Sequence, residues 1–144
     1  MDTITKDLLN DIRAEIATYI SAESDLFEAV YAWPKATLSG FPAVIIMPSE
    51  NESDYQSTSM REVVFAFDVT VYYPTTKESE YEKTELAMGE CISDLLRIFL
   101  VKHPLTTCDW VRPVPSLWGE TTVGEATFRT AQLKLRCVKF VQMA

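Results

Sequence analysis

The feature that most constrains the fold is the stretch from Val63 to Tyr73, in which every second residue is a large apolar one. The odd positions hold only Val, Phe and Tyr, whereas the even positions include Asp68 and Thr70. Successive side chains of a β-strand point to opposite faces of the sheet, so this period of two predicts a long strand whose odd face covers a core. Pro74 ends the strand, because proline has no amide hydrogen to donate to a neighbouring strand.

Two other segments show the spacing of amphipathic helices, with one apolar stripe each. The first is expected to begin near Ile4 and to end between Ser21 and Ser24. Its predicted buried stripe comprises Ile4, Leu8, Ile12, Ile16 and Ile20, and its predicted polar face comprises Lys6, Asp7, Asp11, Arg13 and Glu15. The second helix is expected from Tyr81 to Leu100, and the glutamates around its start are favoured by the helix dipole.

Three further segments are expected to be extended. Leu26–Trp33 predicts a short strand that Pro34 ends, and the continuous apolar run Ala43–Met47 predicts a strand covered on both faces. Cys108–Ser116 also predicts an extended segment, since its two prolines exclude a helix and a central strand.

The C-terminal part of the chain predicts a turn followed by a long strand. Gly119 and Gly124 bracket the residues that we expect to form the turn. The region from Ala126 to Val141 alternates as a strand does, but apolar residues appear near its end on the face that is polar earlier. We attribute this change to a bulge near Cys137 or to a change of burial.

These elements follow one another in the order α-β-β-β-α-β-β. A chain of 144 residues, of which 47% are hydrophobic, is expected to form a single domain around one core. The simplest architecture is an α+β fold with an antiparallel-dominated mixed sheet and two helices packed on one face.

A polar stretch from Ser49 to Arg61 separates two of the predicted strands. Connections of this length are uncommon inside a compact domain and usually indicate function or disorder. We interpret residues 48–62 as an arm that projects from the sheet, with Tyr55, Met60 and Arg61 as its candidate contact residues. Two alternatives are open: the arm is disordered, or it is ordered only against a neighbouring molecule.

Charge and composition exclude several classes of function. The formal net charge of −8 argues against a general nucleic-acid binder, because such proteins usually present a basic face. No apolar run is long enough to span a bilayer and the N-terminal residues lack the features of a signal peptide, so a cytoplasmic origin is expected. Cys91, Cys108 and Cys137 are widely spaced, and we interpret them as free thiols.

The sequence contains no recognisable catalytic, cofactor or metal motif. Its four glycines form no phosphate-binding loop, and no G-x-S-x-G is present. His103 is interpreted as a cap at the end of the second helix. Four glutamates are interpreted as a solvated helix start, since no loop with calcium-ligand spacing accompanies them: Glu78, Glu80, Glu82 and Glu85. We therefore expect no enzymatic activity, no cofactor and no metal site.

A second candidate for an interface is the apolar segment that contains Trp110, Leu117 and Trp118. Aromatic side chains on a proline-stiffened segment are effective anchors, because little entropy is lost when they dock. The alternative is that both tryptophans cover the sheet of their own subunit.

The chain resembles the tail terminator, or tail-completion, proteins of long-tailed bacteriophages over nearly its whole length. The resemblance consists of the opening amphipathic helix, the polar arm and four further segments: Phe41–Ile46, Val63–Tyr73, Tyr81–Leu100 and Thr127–Leu133. Related neck and head-completion proteins of the virion have similar sizes.

This resemblance implies a structural protein without catalytic activity. Such proteins form a ring, typically a hexamer, at the head-proximal end of the tail tube, where they end tube polymerisation and join the tail to the head connector. The implied partners are further copies of the chain, the tail tube protein and the head–tail connector protein, with DNA passing through the lumen without specific binding. The implied location is the tail or neck of the virion, after assembly in the host cytoplasm and without contact with a membrane.

Two alternatives to this function are kept. The first is another connector or head-completion protein of the virion neck. The second is a small-ligand-binding domain with its pocket between the helices and the sheet, which would need convergent polar residues in that pocket.

Overall fold

The computed structural model describes residues 6–35, 37–49, 56–57, 62–74, 81–101, 104–124 and 126–140. Within these ranges the chain forms two helices and six strands. The helices are α1 (Leu8–Glu23) and α2 (Tyr81–Phe99). The strands are β1 (Ala29–Tyr31), β2 (Ala43–Pro48), β3 (Gln56–Ser57), β4 (Glu62–Pro74), β5 (Trp110–Val123) and β6 (Ala126–Phe140).

The six strands form one mixed sheet with the order β1-β2-β4-β6-β5, and β3 pairs with β4. Every pair of neighbouring strands is antiparallel except β1 and β2. β4 lies at the centre and pairs with β6 along its whole length, from Glu62 to Pro74. The predicted α+β class and the antiparallel-dominated mixed sheet are confirmed.

Both helices pack on the face of the sheet that carries the odd-numbered residues of β4. The rings of Tyr19 in α1 and Phe99 in α2 meet there, with their centroids 5.2 Å apart, and the hydroxyl of Tyr19 donates a 2.7 Å hydrogen bond to the carbonyl of Ile98. The core between helices and sheet includes Ile12, Ile16 and Ile20 from α1, Phe67, Val69 and Val71 from β4, and Leu95, Ile98 and Phe99 from α2. The predicted buried face of this strand is thus confirmed.

The described residues cover the opposite face of the sheet only in part. The segment between β1 and β2 folds over one end, where Leu38, Ile45 and Phe128 form a second, smaller cluster with the ring of Phe41. Toward β5 the same face carries side chains that are exposed or half-buried. We call this second region the helix-free face, and it consists of Trp110, Arg112, Val114, Lys134 and Arg136.

The predicted turn in the C-terminal part is wrong, and one of the two explanations for the apolar end of the last strand is excluded. Residues 119–123 do not form a turn, because they complete β5; the reversal comes at Gly124, whose φ of 64° lies in the left-handed region that glycine adopts readily. No bulge occurs near Cys137, since β6 pairs with β4 without interruption. The irregularity lies instead in β5, between Pro115 and Trp118.

The prediction that Arg13 lies on the polar face of α1 is also wrong. Its side chain is buried, and its Nε donates a 3.0 Å hydrogen bond to the carbonyl oxygen of Ile46. The guanidinium carbon lies 4.4 Å from the centroid of the Trp33 ring. β1 pairs with β2 only as far as Ile45, so Arg13 satisfies a carbonyl beyond the end of β1. A signal was present in the sequence, because Arg13 precedes Ile16 by three residues and thus flanks the apolar stripe.

Only part of the predicted arm, residues 48–62, lies within the described residues. Pro48 is the last residue of β2, and the amide of Ser49 donates a 3.0 Å hydrogen bond to the carbonyl of Ala66, which continues the pairing of β2 with β4. Gln56–Ser57 form β3 and pair with the beginning of β4. The described residues of the segment therefore belong to the sheet, and the projecting arm stays a prediction for the rest of it.

Candidate interaction surfaces

β5 is the edge strand farthest from β1, and it carries three of the predicted interface residues. It pairs with β6 on one side, and no other strand among the described residues pairs with its second side. Pro113 and Pro115 fit this position, since an edge strand tolerates residues without an amide hydrogen. The prediction of an extended segment that is not central is confirmed, and the strand continues beyond the prolines to Val123.

Trp110 begins β5 and is 52% exposed. The next residue, Val111, is buried in the core opposite Cys137, so the alternation of side chains along the strand directs Trp110 to the helix-free face. About half of the Trp110 surface is therefore covered by its own subunit, as the alternative predicted, and the other half is exposed to solvent.

Leu117 and Trp118 lie at the irregularity of β5 and are 66% and 44% exposed. Arg129 of β6 holds the indole in place, because its guanidinium carbon lies 5.8 Å from the centroid of the Trp118 ring. The same guanidinium donates hydrogen bonds of 2.6 Å to the Glu85 carboxylate in α2 and 3.2 Å to the Gly119 carbonyl. Trp118 is thus positioned at the surface by an arginine that also joins β6 to α2.

The structure does not bring the predicted contact residues into one patch. Trp110 pairs with Val138 and Trp118 with Ala131, which separates the two tryptophans by about 24 Å along the strand at ~3.4 Å per residue. Trp110 begins this sheet edge, and Trp118 lies in its second half, before the strand ends at Val123. The remaining predicted contacts, Tyr55, Met60 and Arg61, lie outside the described residues.

A basic strip that the sequence reasoning missed crosses the helix-free face. Arg112 of β5 pairs with Arg136 of β6, and Lys134 lies two residues further along β6. The odd-numbered residues of β6 in this region, Leu133, Leu135 and Cys137, are fully buried in the core. Because side chains alternate along a strand, the basic side chains lie on the other face. Asp68 of β4 pairs with Lys134 and is the acidic residue of this region. Only the pairing register of β5 and β6 brings Arg112 to this strip.

Glu15 of α1 anchors the connection that leads into β5. Its carboxylate accepts hydrogen bonds of 2.5 to 3.0 Å from the amides and the hydroxyls of both Thr106 and Thr107. Burial acts to raise the pKa of Glu15, but these hydrogen bonds outweigh burial and hold the pKa below its usual value. The carboxylate predicted to lie on the solvent face of α1 therefore has a structural role, since it fixes the beginning of β5 against the helix.

The buried cysteines lack the environment of a nucleophile. Burial, reinforced by the charges of Glu90 and Asp94, raises the pKa of Cys91 to about 11. A hydrogen bond with Cys108, together with burial, raises the pKa of Cys137 well above its usual value. Both thiols are neutral at physiological pH and react slowly, because the thiolate is the reactive form.

The described side chains offer neither a metal cluster nor a membrane span. Within these ranges no group of three or more His, Cys, Asp or Glu side chains is placed to hold a metal ion. Neither α1 nor α2 is long and apolar enough to cross a bilayer. His103, the predicted cap at the end of α2, lies outside the described residues. Glu78 and Glu80 of the predicted helix start also lie outside them, and the described helix begins at Tyr81.

A hollow of about 290 Å³ lies beside the edge strand, between Tyr72, Leu117, Trp118, Thr130 and Gln132. It is partly open to solvent. Among the described residues, core side chains pack between the helices and the sheet, where the ligand-binding alternative requires a pocket.

Comparisons with known proteins do not identify a family for this chain. No protein-family profile matches it, and no curated protein matches it significantly. Among solved structures, 22 chains match significantly. One of them, a protein whose name describes no function, covers 97% of this chain and 99% of its own, with 15% sequence identity and a TM-score of 0.45. A similarity at this level carries no argument about function.

Proposed function

We propose that this protein is a structural component of a long-tailed bacteriophage and forms a ring at the head-proximal end of the tail tube. In this role it ends tube polymerisation and joins the tail to the head connector, without catalysis. A hexamer is the expected assembly, its place is the tail or neck of the virion, and it is assembled in the host cytoplasm. The support comes from the sequence resemblance and from one structural observation, the exposed apolar residues of the edge strand.

The edge strand is the main structural support for the proposal, because it exposes large apolar side chains. Their exposure does not stabilise an isolated subunit. Trp110, Leu117 and Trp118 are 52%, 66% and 44% exposed. Sheet edges with exposed apolar residues are prone to pair with other molecules, so their presence on a long strand favours an interface. A closed ring needs a head-to-tail contact between two different surfaces of the subunit, and this edge is suited to one of them.

The charge of the chain is compatible with DNA passing through such a ring. Each copy has a formal net charge of −8, so a hexamer is strongly acidic. A lumen of the same sign as the phosphate backbone repels DNA and lets it pass without specific binding.

Electron microscopy of the purified protein, alone and mixed with tail tubes, tests the proposal. We expect rings that cap tube ends, and we expect Leu117→Ser to reduce capping because the side chain it removes is exposed in the free subunit. Leu100→Ser is the matched control, since Leu100 is 70% exposed at the end of α2 and away from the edge strand in sequence.

Three results would redirect or contradict the proposal. Rings that bind the isolated head connector and ignore tube ends would assign the protein to another position in the neck. A monomer that binds a small metabolite and ignores tubes would favour the ligand-binding alternative. Equal capping by wild type and Leu117→Ser would remove the edge strand from the interface.

The contact role of Tyr55, Met60 and Arg61 stays a prediction. A variant with all three residues replaced by alanine should cap tube ends less well than wild type. Unchanged capping by that variant would contradict the role assigned to this segment.

A further inference from the structure

The outer surface of α2 exposes an apolar residue among acidic ones. Leu86 is 64% exposed. Glu82 and Glu90 lie one helical turn before and after it, and all three point away from the core. On the exposed side of α2, three acidic side chains accompany two basic ones: Glu82, Glu85 and Glu90 against Lys83 and Arg97. Glu85 is paired with Arg129 of β6, so Glu82 and Glu90 are the acidic residues that flank Leu86 most directly.

Leu86 stands between two depressions in this surface. One, of about 420 Å³, is bordered by Glu82, Lys83 and Ala87. The other, of about 610 Å³, contains Gly89 together with Leu26. A Cβ built on Gly89 meets no atom within 4 Å, so the larger depression is open above the helix. A raised leucine between two hollows can interlock with side chains of a partner.

The helix-free face has the complementary composition. Trp110 and Val114 are 52% and 37% exposed and lie on either side of Arg112 in β5. Arg136 and Lys134 continue the basic strip on β6. In a chain with a net charge of −8, this face brings three basic residues together, with Asp68 of β4 paired opposite Lys134.

We infer that the outer surface of α2 docks on the helix-free face of a second copy of this chain. Leu86 packs against Trp110 and Val114 of the neighbouring copy, and the glutamates that flank Leu86 face the basic strip. The occupant is a second copy because one chain carries both the acidic and the basic surface, each with exposed apolar residues at its centre. Complementary charge of this kind fixes the orientation of a contact and excludes like-charged partners.

This contact is head-to-tail, because it joins two different surfaces of the subunit. α2 covers one side of the sheet and the helix-free face lies on the other, so each copy keeps one surface free for the next copy. Such a contact closes into a ring when the rotation between successive copies closes, and otherwise gives a filament. The inference rests on the proposed ring function, for which it names the two surfaces that meet.

Charge reversal tests the contact in the full chain. Self-association, measured by analytical ultracentrifugation at low ionic strength, should weaken about tenfold or more in Glu90→Lys and in Arg112→Glu. The double variant Glu90→Lys/Arg112→Glu should recover association, because both charges at each contact are then exchanged. Asp11→Lys and Lys35→Glu are the matched controls, since both residues are exposed outside the two surfaces. Added salt should weaken wild-type association.

A steric variant provides a test that does not depend on charge. Gly89→Phe adds a ring at the larger depression, from a position where a Cβ meets no atom within 4 Å, and should abolish association, whereas Gly89→Ala should preserve it. Circular dichroism and thermal unfolding confirm that each variant is folded before it is scored.

The outcomes separate the inference from the proposed function. Recovery by the double variant and loss in Gly89→Phe support the inference. Rings that form equally well in all variants overturn the inference and leave the proposed function standing. A wild-type chain that forms no ring, with or without tail tubes, overturns both. A chain that uses α2 only to bind the tube protein overturns the inference alone.

Discussion

Replacing Glu15 by glutamine removes the charge that holds the connection before β5 against α1. The carboxylate accepts hydrogen bonds from four donors, the amides and hydroxyls of Thr106 and Thr107. Hydrogen bonds to a charged group contribute about 1.5 to 3 kcal/mol each in buried sites, but this site is half-buried and water competes for it. Since glutamine keeps one acceptor oxygen, we expect the free energy of unfolding to fall by about 1 to 2 kcal/mol at pH 7.

The loss should depend on pH with a defined sign. The pKa of Glu15 is lower in the folded protein than in the unfolded chain. The carboxylate therefore contributes stability above the unfolded pKa of about 4.3, and this contribution disappears as the pH falls through the lower folded pKa. Once the pH lies below the folded pKa, the protonated side chain resembles glutamine, so wild type and Glu15→Gln should be equally stable there.

Urea unfolding of both proteins at a series of pH values, followed by circular dichroism, measures this difference. Glu23→Gln is the control, because Glu23 is an exposed glutamate in the same helix. A difference that is absent at pH 7, or that persists unchanged at low pH, would refute the assignment of the stability to the ionised carboxylate.

Three further predictions follow from single side chains. Arg13→Leu should lower the free energy of unfolding by about 1 to 3 kcal/mol, because it leaves the carbonyl of Ile46 without its donor; Arg13→Lys should lie between wild type and Arg13→Leu in urea titrations. Cys91, whose pKa is about 11, and Cys137 should resist iodoacetamide at pH 8 in the folded protein and react after unfolding; fast native labelling, read by mass spectrometry, would contradict their burial. Gly89→Ala should raise the free energy of unfolding by about 0.5 to 1 kcal/mol, because alanine favours helix and meets no atom there, and thermal unfolding checks this.

The central strand and the helices were accessible from the sequence because their patterns depend on local geometry. The alternation in β4 requires a sheet with one buried face whatever its neighbours are, and the structure buries Phe67 and Val69 on that face. The four-residue spacing in α1 likewise produces a stripe, and Ile12, Ile16 and Ile20 are fully buried.

The errors arose where a residue's role depends on what lies beside it in space. Gly119 suggested a turn, but an edge strand accommodates glycine, and the reversal falls at Gly124. Arg13 looked solvent-facing because arginine is usually exposed, yet α1 crosses β2 where β1 has ended and a carbonyl needs a donor.

The candidate surfaces were likewise predictable from the sequence only in part. The sequence singled out Trp110, Leu117 and Trp118 because large apolar residues on a proline-stiffened segment are unusual, and all three are exposed. It did not reveal that Trp110 and Trp118 stand far apart, nor that Arg112 joins Lys134 and Arg136 in one strip. Strand register is a property of pairing between distant segments, and a shift of one residue would move each side chain to the other face.

By itself, the sequence determined the two helices and the central strand, the apolar side of each, and that no catalytic motif is present. These properties follow from periodicity and residue chemistry, which act within a few residues of the chain. Only the tertiary structure decided the strand order, the edge position of β5 and the placement of an acidic helix surface opposite a basic sheet face. Those properties depend on contacts between residues far apart in the chain, and the assembly proposed for this protein depends on them.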